Sequence, residues 1–368
     1  MAHFDVLIVG GGIAGASLGA RLAGRMSVAI IEAEEHCALH STGRSAAFWL
    51  AHYGGAAIIP LTMASRAELE AGWPSNASSF LRSRGAVTIA HDYMDLRDAL
   101  SVETSKAPRR PHIERGEIEA LIPGLSEGWN HALWDESCAD IDVAGLHNAC
   151  LAEFKRLGGT MLTSTPLERA SWQSGRWTVS AATEALTSSI IVNAAGAWAD
   201  EVAERCGVQP LGIRPYRRTV VQLRIGRTGL KDVPLVIDAF SRFYFKGESD
   251  NRIWVSPHDE TPSAPCDAAP EEIDVARAVD HFRSVVDWPV ETVERKWAGL
   301  RSFSPDRAPV FGFDPDLPGF FWCAGQGGFG IQTAPAASRL AASLLLRERV
   351  DAESVPIDPA PFAAGRFR

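Results

Sequence analysis

The chain alternates short apolar runs that end in glycine with longer amphipathic stretches. The first run, at 6–9, leads directly into four glycines between 10 and 15. A proline-free stretch rich in alanine and leucine covers 16–23, and a second apolar run at 28–31 ends at Glu32. Short apolar runs bounded by glycine are typical of buried strands, so the pattern predicts a strand, a tight turn, a helix and a second strand in that order.

The spacing of Gly10, Gly12 and Gly15 is that of a dinucleotide-binding turn. Gly10 permits the turn, Gly12 leaves room for a pyrophosphate at the helix N-terminus, and Gly15 lets the helix pack closely on the strand. Glu32, at the end of the second strand, is placed to accept hydrogen bonds from ribose hydroxyls. A glycine-rich turn without function is the alternative, but the order of strand, turn, helix, strand and acid favours nucleotide binding.

Two later apolar runs also end in glycine. The run at 189–192 leads into Asn193 and an Ala-Ala-Gly turn, and the run at 320–324 leads into a glycine-rich turn at 325–330. Glycine at the end of a buried strand lets a ligand or another backbone come close. Three such turns, far apart in sequence, predict a ligand that needs close backbone approach in more than one region.

From Pro215 the pattern changes to short runs of β-branched and aromatic residues, which predict an antiparallel sheet. These runs are 219–223, 235–237, 243–246 and 253–255. A further strand is predicted at 86–90, and helices are predicted at 61–73, 143–157 with Asp142 as the N-cap, 271–286, and from the last glycine turn to about 346.

These elements predict an α/β protein of two domains, as expected for 368 residues. One is a Rossmann-like nucleotide-binding domain, and the other is an α+β substrate-binding domain with an antiparallel sheet. We assign 1–80, 140–214 and 297–368 to the first, and 81–139 and 215–296 to the second.

The composition limits the classes of molecule that the protein is expected to bind. The formal net charge is −9 and no basic block occurs, which argues against nucleic acid or an anionic membrane surface. None of the six cysteines forms a C-x-x-C pair or a zinc-ligand pattern, so we expect reduced thiols, no metal site and a cytoplasmic protein. No apolar run reaches the roughly 18 residues of a membrane span. A small-molecule substrate is the partner that remains.

Five motifs together resemble the D-amino-acid oxidase-like family of FAD-dependent enzymes, which includes glycine and sarcosine oxidases. They are V-G-G-G-I-A-G at 9–15, S-T-G-R-S-A-A at 41–47, N-A-A-G-A-W at 193–198, G-L-R at 299–301 and G-Q-G-G-F-G-I-Q-T at 325–333. The likeness is greatest to the D-arginine dehydrogenases of that family. The resemblance implies a D-amino-acid oxidase-like fold and FAD bound across both ends of the chain.

The resemblance also implies which residues bind FAD. They are Gly10, Gly12, Ile13, Ala14, Gly15, Glu32, Ala33, Ser41, Thr42, Arg44, Ser45, Ala46, Ala47, Leu167, Ala195, Gly196, Trp198, Gly299, Arg301, Gly328, Gly330, Ile331, Gln332 and Thr333. Sarcosine-oxidase relatives tether the flavin through a cysteine just after the G-L-R arginine. Because Ser302 follows Arg301 here, we expect non-covalent FAD.

Arginine is the residue type suited to a bidentate carboxylate clamp. The resemblance assigns that role to Arg218 and Arg301, and it places Tyr53 and Tyr244 against the substrate. The alternatives are a surface arginine beside Arg217 and tyrosines that only pack in the sheet or at the rim.

The side-chain pocket departs from the D-arginine dehydrogenases. Ala86 stands where they have a glutamate that pairs with the substrate guanidinium, and Phe48 and Leu50 replace a histidine and a threonine. A buried guanidinium without a partner costs several kcal/mol. We therefore expect an apolar pocket that accepts an uncharged side chain, with Gly328 and His52 also at the pocket. His52 is a candidate acid/base group there, and the alternative is an ordinary loop histidine.

The expected function is oxidative deamination of a neutral or apolar D-amino acid to the 2-oxo acid and ammonia, with hydride transfer to flavin N5. Oxidation of a 2-hydroxy acid, or of a secondary or N-methyl amino acid, is the alternative, and a non-enzymatic flavin-binding protein is a further one. We expect oxygen or a quinone as the electron acceptor, and a monomer or small homo-oligomer.

Overall fold

The structure is a computed structural model that describes residues 2–74, 76–97, 107–181, 184–348 and 357–368. Its α-helices in these ranges are α1 (Ile13–Leu22), α2 (Ile59–Ala71), α3 (Arg115–Leu121), α4 (Val143–Arg156), α5 (Ala199–Arg205), α6 (Glu272–Val285) and α7 (Gly330–Leu345). The described helices include none that is long and apolar enough to cross a membrane.

The strands in chain order are β1 (Ala2–Val9), β2 (Val28–Ile31), β3 (Phe48–Trp49), β4 (Leu81–Ser83), β5 (Ala86–Ala90), β6 (His112–Glu114), β7 (His131–Asp135), β8 (Ala139–Ile141), β9 (Thr160–Leu162), β10 (Leu167–Gln173), β11 (Arg176–Ala181), β12 (Glu184–Asn193), β13 (Arg214–Ile225), β14 (Leu235–Asp238), β15 (Tyr244–Ser249), β16 (Arg252–Ser256), β17 (Thr261–Pro262), β18 (Val290–Phe303), β19 (Val310–Phe313), β20 (Phe320–Ala324) and β21 (Gln326–Gly327).

The first sheet carries the glycine turn. Its strands run in the order β10-β11-β12-β1-β2-β9, and β20 pairs with both β12 and β19. The strands β12, β1, β2 and β9 are mutually parallel, as the predicted nucleotide-binding domain requires. Alternate residues of β1 enter two cores: Val6 and Ile8 pack with α1, α4 and α7, whereas Leu7 and Val9 pack on the opposite face.

The second sheet faces the first across a cavity. Its order is β21-β18-β13-β16-β15-β14-β5-β7-β6, with β17 paired to β13. All of its pairs are antiparallel except β14 with β5, so the predicted antiparallel sheet is confirmed. Val221 and Phe245 pack on α6 in one core, and the alternate residues Arg218, Val220 and Tyr244 lie on the cavity side. A small third sheet, β3-β8-β4, joins segments that are far apart in sequence.

The predicted element positions agree closely with these bounds. Asp142 caps α4, since its side chain accepts a hydrogen bond from the backbone N–H of Gly145 at 2.9 Å. α2 begins two residues before the prediction because Pro60 is tolerated in the first turn of a helix, and Gly72, with φ of +86°, ends it. The strand β18 runs unbroken across position 297, where we assign a domain boundary from the sequence. The division into two domains therefore remains a proposal.

Candidate active site

The glycine turn between β1 and α1 is built by close backbone contacts. Gly10 has φ of +107°, and a Cβ there would lie 2.5 Å from the carbonyl O of Ala194. A Cβ on Gly15 would lie 2.0 Å from the carbonyl O of Gly10. The turn therefore needs glycine at position 10 for its backbone conformation and at position 15 for the close packing of α1.

Gly12, which lines a cavity as Gly10 does, differs from these two glycines because a Cβ there would meet a side chain and no backbone atom. The atom nearest to a Cβ on Gly12 would be Oγ1 of Thr42, at 3.2 Å. That hydroxyl oxygen accepts a hydrogen bond from the backbone N–H of Ile13 at 3.0 Å. The first turn of α1 thus opens on the cavity, in the arrangement by which a helix N-terminus binds a pyrophosphate.

The cavity has a volume of about 430 Å³ and lies between the glycine turn and the strands β13 and β18. Two of its buried polar atoms, Nη1 of Arg218 and Oγ of Ser302, have no hydrogen-bond partner within the described ranges. A glycine cradle and unpaired polar atoms in one cavity fit a bound dinucleotide. The predicted cofactor residues that line it are Gly10, Gly12, Ile13, Ala14, Glu32, Ala33, Ser41, Thr42, Arg44, Ser45, Ala46, Leu167, Ala195, Gly196, Trp198, Gly299, Arg301, Gly328, Gly330 and Ile331.

The remaining predicted cofactor residues are absent from that lining: Gly15, Ala47, Gln332 and Thr333. The side-chain amide of Gln332 donates to the carbonyl O of Tyr53 at 3.1 Å and to Oγ1 of Thr62 at 3.0 Å. Its oxygen accepts from the backbone N–H of Leu50 at 3.2 Å. Gln332 therefore ties the segment 50–53 to α2.

Glu32 lies beside the glycine turn as predicted. Its Oε2 accepts a hydrogen bond from the backbone N–H of Gly11 at 2.7 Å, and its Oε1 accepts one from the backbone N–H of Glu34 at 3.1 Å. A carboxylate has about four lone-pair positions, so capacity for ribose hydroxyls remains.

Arg44 reaches the second sheet as well as the cavity. Its Nε donates to the carbonyl O of Leu39 at 3.2 Å, and its Nη1 donates to the carbonyl oxygens of Ala268 and Ala298 at 2.9 and 3.1 Å. Its Nη2 pairs with Asp267. Because most of its donors are used within the protein, Arg44 ties the loop at 38–44 to the second sheet.

Arg218 and Arg301 come together through strand register. Antiparallel pairing places Arg218 opposite Gly299, two positions from Arg301, so both arginines lie on the same face of adjacent strands. Both line the cavity. Burial lowers the pKa of Arg218, and the neighbouring charge of Arg301 lowers it further. Two guanidinium groups side by side in a partly enclosed cavity favour an anion.

Each guanidinium is held on one side. Nε of Arg218 donates to the carbonyl O of Asp259 at 2.8 Å, and its Nη2 lies 3.3 Å from Oε1 of Glu260. Nη1 of Arg301 donates to the hydroxyl of Tyr53 at 2.8 Å. These contacts fix both groups, and the unpaired Nη1 of Arg218 remains for a ligand.

Aromatic rings form the wall beside the arginines. The ring of Phe48 lies 5.3 Å from the ring of Tyr53 and 5.8 Å from the ring of Tyr244, centroid to centroid. With Arg301 and Gly328 they border a small second cavity of about 20 Å³, which shares residues with the large one.

Three residues of the predicted side-chain pocket do not line either cavity. Leu50 and Ala86 are buried in the apolar cluster behind Phe48 and Tyr244. The Nε2 of His52 lies 2.8 Å from the carbonyl O of Pro108, as an ordinary loop histidine would. The apolar wall is therefore made by Phe48, Tyr244 and Val220, with Leu50 and Ala86 as its support.

His258, which the sequence did not single out, lies at the edge of this wall. It follows β16, its Nδ1 bonds the carbonyl O of Ser241, and its Nε2 lies 3.3 Å from the hydroxyl of Tyr53. Burial, followed by the charges of Arg218 and Arg301, lowers the pKa of His258 to about 3. No local motif marks this histidine, because its neighbours come from four separate strands or loops.

Other lining residues were also missed, and some had a signal nearby. They include Glu34, His40, Thr165, Pro166, Arg205, Val220, Gln326 and Gly327. Thr165 and Pro166 directly precede Leu167, and Gln326 and Gly327 lie inside the last glycine-rich turn. These four residues therefore adjoin or belong to stretches that the sequence had already indicated. Arg205, whose Nη1 donates to the carbonyl O of Leu167 at 2.8 Å, stands in no recognisable pattern.

Comparison with known proteins gives close agreement in fold and moderate agreement in sequence. Glycine oxidase of Pseudomonas aeruginosa is 27% identical over 292 residues, 76% of each chain. Glycine oxidase of Pseudomonas putida is 26% identical over 382 residues, 98% of each chain. The crystal structure of glycine oxidase from Geobacillus kaustophilus superposes with a TM-score of 0.83 at 22% identity, covering 99% of each chain.

A family model described as FAD dependent oxidoreductase matches residues 5–344, nearly the whole chain. The match spans the glycine turn, both sheets and α7, and it confirms the predicted α/β fold and the predicted cofactor. The chain belongs to the DAO family of FAD-dependent oxidoreductases, and FAD is its cofactor.

Proposed function

We propose that the protein catalyses the FAD-dependent oxidative deamination of a neutral D-amino acid to the 2-oxo acid and ammonia. The observation that carries the proposal is the pair Arg218 and Arg301, which lie on one face of adjacent strands in the FAD cavity. The arginine pair suits the substrate carboxylate, because a guanidinium can donate two parallel hydrogen bonds to a carboxylate. FAD bound in the cavity supplies the acceptor for the two electrons.

The side chain of the substrate is proposed to be uncharged. Among the described residues that line the two cavities, the carboxylates are Glu32 and Glu34, and both belong to the segment that follows the glycine turn. Beside the arginines the wall consists of Phe48, Tyr244 and Val220. A cationic side chain would lose its hydration there without gaining a partner, at a cost of several kcal/mol.

The chain's own residues bind and orient the reactant. Arg218 and Arg301 neutralise the carboxylate and fix its position. The rings of Phe48 and Tyr244 exclude water from one side. Burial would by itself raise the pKa of Tyr53, but the charges of Arg301 and Arg218 lower it. The hydroxyl of Tyr53 therefore lies close to both arginines. The imino acid product hydrolyses in water after release.

One further observation supports an amino acid as the reactant. The curated relatives at 26–27% identity that match most of the chain are glycine oxidases. The D configuration is proposed from the motif resemblance to D-arginine dehydrogenases.

FAD is proposed to be non-covalent, because Ser302 occupies the position of the flavin-tethering cysteine and the described lining of the cavity includes no cysteine. Acid precipitation that leaves the flavin in the supernatant would support this.

The proposal is tested by anaerobic reduction of the bound flavin with D- and L-leucine, phenylalanine, methionine, arginine and glutamate. We expect bleaching by the neutral D-amino acids and much slower bleaching by D-arginine and D-glutamate. Bleaching by L-enantiomers alone would overturn the stereochemical part. Bleaching by none of the amino acids, together with bleaching by a 2-hydroxy acid, would overturn the reaction itself.

A further inference from the structure

The hydroxyl of Tyr53, which lies near the charge of Arg218, has two hydrogen-bond partners of different kinds. On one side Nη1 of Arg301, which is only a donor, gives it a hydrogen bond of 2.8 Å. On the other side Nε2 of His258 lies 3.3 Å away. A tyrosine hydroxyl has one proton and can accept through its oxygen. The direction of this short chain therefore depends on which nitrogen of His258 carries a proton.

The tautomer of His258 follows from its other partner. Nδ1 bonds the carbonyl O of Ser241, and a carbonyl oxygen can only accept. Nδ1 must therefore carry the proton. The ring is neutral, since burial and the charges of Arg218 and Arg301 oppose a second proton. Nε2 is left as an acceptor, and the proton of Tyr53 is directed to it.

The backbone at both ends of this contact is unusual. Ser241 has φ of +56° and His258 has φ of +54°, a left-handed conformation that residues with a Cβ adopt rarely. Ser241 lies in the loop between β14 and β15, and His258 lies in the loop after β16. Such conformations persist where the surroundings demand them, often at functional sites. Here two of them meet through one hydrogen bond.

We propose that His258 is a positioning residue that fixes the hydroxyl proton of Tyr53, so that Tyr53 offers the substrate only the oxygen lone pair that Arg301 leaves free. Because Tyr53 donates its proton to His258, it is unable to donate to the substrate carboxylate. Arg218 and Arg301 bind the carboxylate instead. The oxygen of Tyr53 is an acceptor for the substrate amine. This inference rests on the proposed function, and it assigns the amine side of the same site.

The test compares two ligands that cannot be oxidised. 2-Aminoisobutyrate has a carboxylate and an amine but no hydrogen on the α-carbon, and pivalate has a methyl group in place of the amine. Their affinities for the FAD-loaded protein are measured by perturbation of the flavin absorbance and by calorimetry. We expect the wild-type protein to prefer 2-aminoisobutyrate by about tenfold, the effect of one hydrogen bond to a charged group.

Two substitutions at position 258 separate positioning from folding. In His258→Asn the shorter amide can still donate to Ser241 but no longer reaches Tyr53, and asparagine tolerates a positive φ. In His258→Gln the longer amide can still accept from Tyr53. We expect the preference for 2-aminoisobutyrate to disappear in His258→Asn, through weaker binding of that ligand and not of pivalate, and to persist in His258→Gln.

The outcomes distinguish this inference from the proposed function. A preference that survives in His258→Asn, or that is lost equally in both variants, overturns the role of His258. If the wild-type protein itself shows no preference for the amine-bearing ligand, the proposed function fails instead. Tyr53→Phe supplies a second measurement: it should abolish the preference, and adding His258→Asn to it should then change neither affinity. A further loss in the double variant contradicts the inference.

Discussion

At the scale of single residues, the site depends on where Arg301 can place its guanidinium. Tyr53 accepts a hydrogen bond from Nη1 on one side, and Gly328 lies against the guanidinium on the other, where a Cβ would be 2.8 Å from Nη1. The group is thus confined by a phenol and by a residue without a side chain. A planar fork in a fixed position is what a bidentate carboxylate contact needs, and a lysine ammonium lacks that fork.

Arg301→Lys should raise the KM for a neutral D-amino acid by about tenfold to a hundredfold, because it replaces two charge-assisted hydrogen bonds by one. The effect on kcat should be smaller. Steady-state kinetics measure both. Arg224→Lys, on the same sheet but half-exposed and paired with Glu294, is the matched control and should change neither constant. An unchanged KM in Arg301→Lys would contradict the carboxylate clamp.

The neutral state of His258 predicts how stability depends on pH. Its ring faces Arg218 on β13, Arg301 on β18, Tyr244 on β15 and Tyr53, and its pKa is lowered from 6.5 to about 3. Because the folded pKa lies below the unfolded one, the histidine's contribution is complete above about pH 6.5 and is lost as the pH falls towards 3. Between pH 7 and pH 4 the Tm of His258→Gln, measured by calorimetry, should therefore fall by less than the Tm of the wild-type protein. Equal losses would show that His258 does not contribute.

At the scale of elements, the turn between β1 and α1 separates glycines needed for folding from one needed for the ligand. Gly15 packs against the backbone of Gly10, whereas a Cβ on Gly12 would meet only Oγ1 of Thr42, at 3.2 Å. The spacing of these residues is local, and for that reason the sequence could predict the turn, the helix and Glu32. The same holds for Asp142, whose capping partner Gly145 is three residues away.

Substitution by alanine should have different effects at Gly15 and at Gly12. Gly15→Ala forces a Cβ into a carbonyl oxygen and should lower stability by about 2 kcal/mol or more. Gly12→Ala should lower the apoprotein's Tm less, because only the side chain of Thr42 must shift, but it should weaken FAD binding by about tenfold or more. Thermal unfolding of the apoproteins and FAD titration by fluorescence quenching measure these effects. Normal FAD affinity in a folded Gly12→Ala protein would contradict the assigned role of the turn.

At the scale of the whole molecule, the cavity exists because two sheets and several loops meet. Arg44 joins the loop at 38–44 to residues more than 220 positions away, and Tyr53 meets His258 across 205 positions. Such contacts depend on strand register and on how loops leave the sheets, which no local motif records. This explains why motifs led to Arg218 and Arg301, which line the cavity, whereas His258 was missed and Leu50 and Ala86 were assigned to the cavity surface rather than behind it.

A buried ionic cluster also joins separate parts of the molecule. Asp140 on β8 accepts hydrogen bonds from Nζ of Lys246 on β15 at 2.8 Å and from Nε of Arg84 at 2.7 Å. Burial alone would raise the pKa of Asp140, but the hydrogen bond from Arg84 and the charge of Lys246 hold it well below its usual range. The small sheet and the second sheet thus share one carboxylate.

Asp140→Asn should lower the free energy of unfolding by about 3 kcal/mol, because it leaves two buried cations without a counter-charge. Lys246→Met should cost less, since Asp140 keeps Arg84 and the methionine fills the same space. Urea denaturation of both variants measures the difference. An equal or smaller loss in Asp140→Asn would contradict the view that this carboxylate holds the cluster together.

The proposed oxidation of an amino acid is tested most directly by anaerobic reduction of the bound flavin with two compounds that differ in one group. D-Methionine and D-2-hydroxy-4-(methylthio)butanoate share their carboxylate, configuration and side chain, but one carries an amine and the other a hydroxyl. We expect fast, saturable bleaching by D-methionine and little or none by the hydroxy acid. Bleaching by the hydroxy acid without bleaching by D-methionine would contradict the proposal.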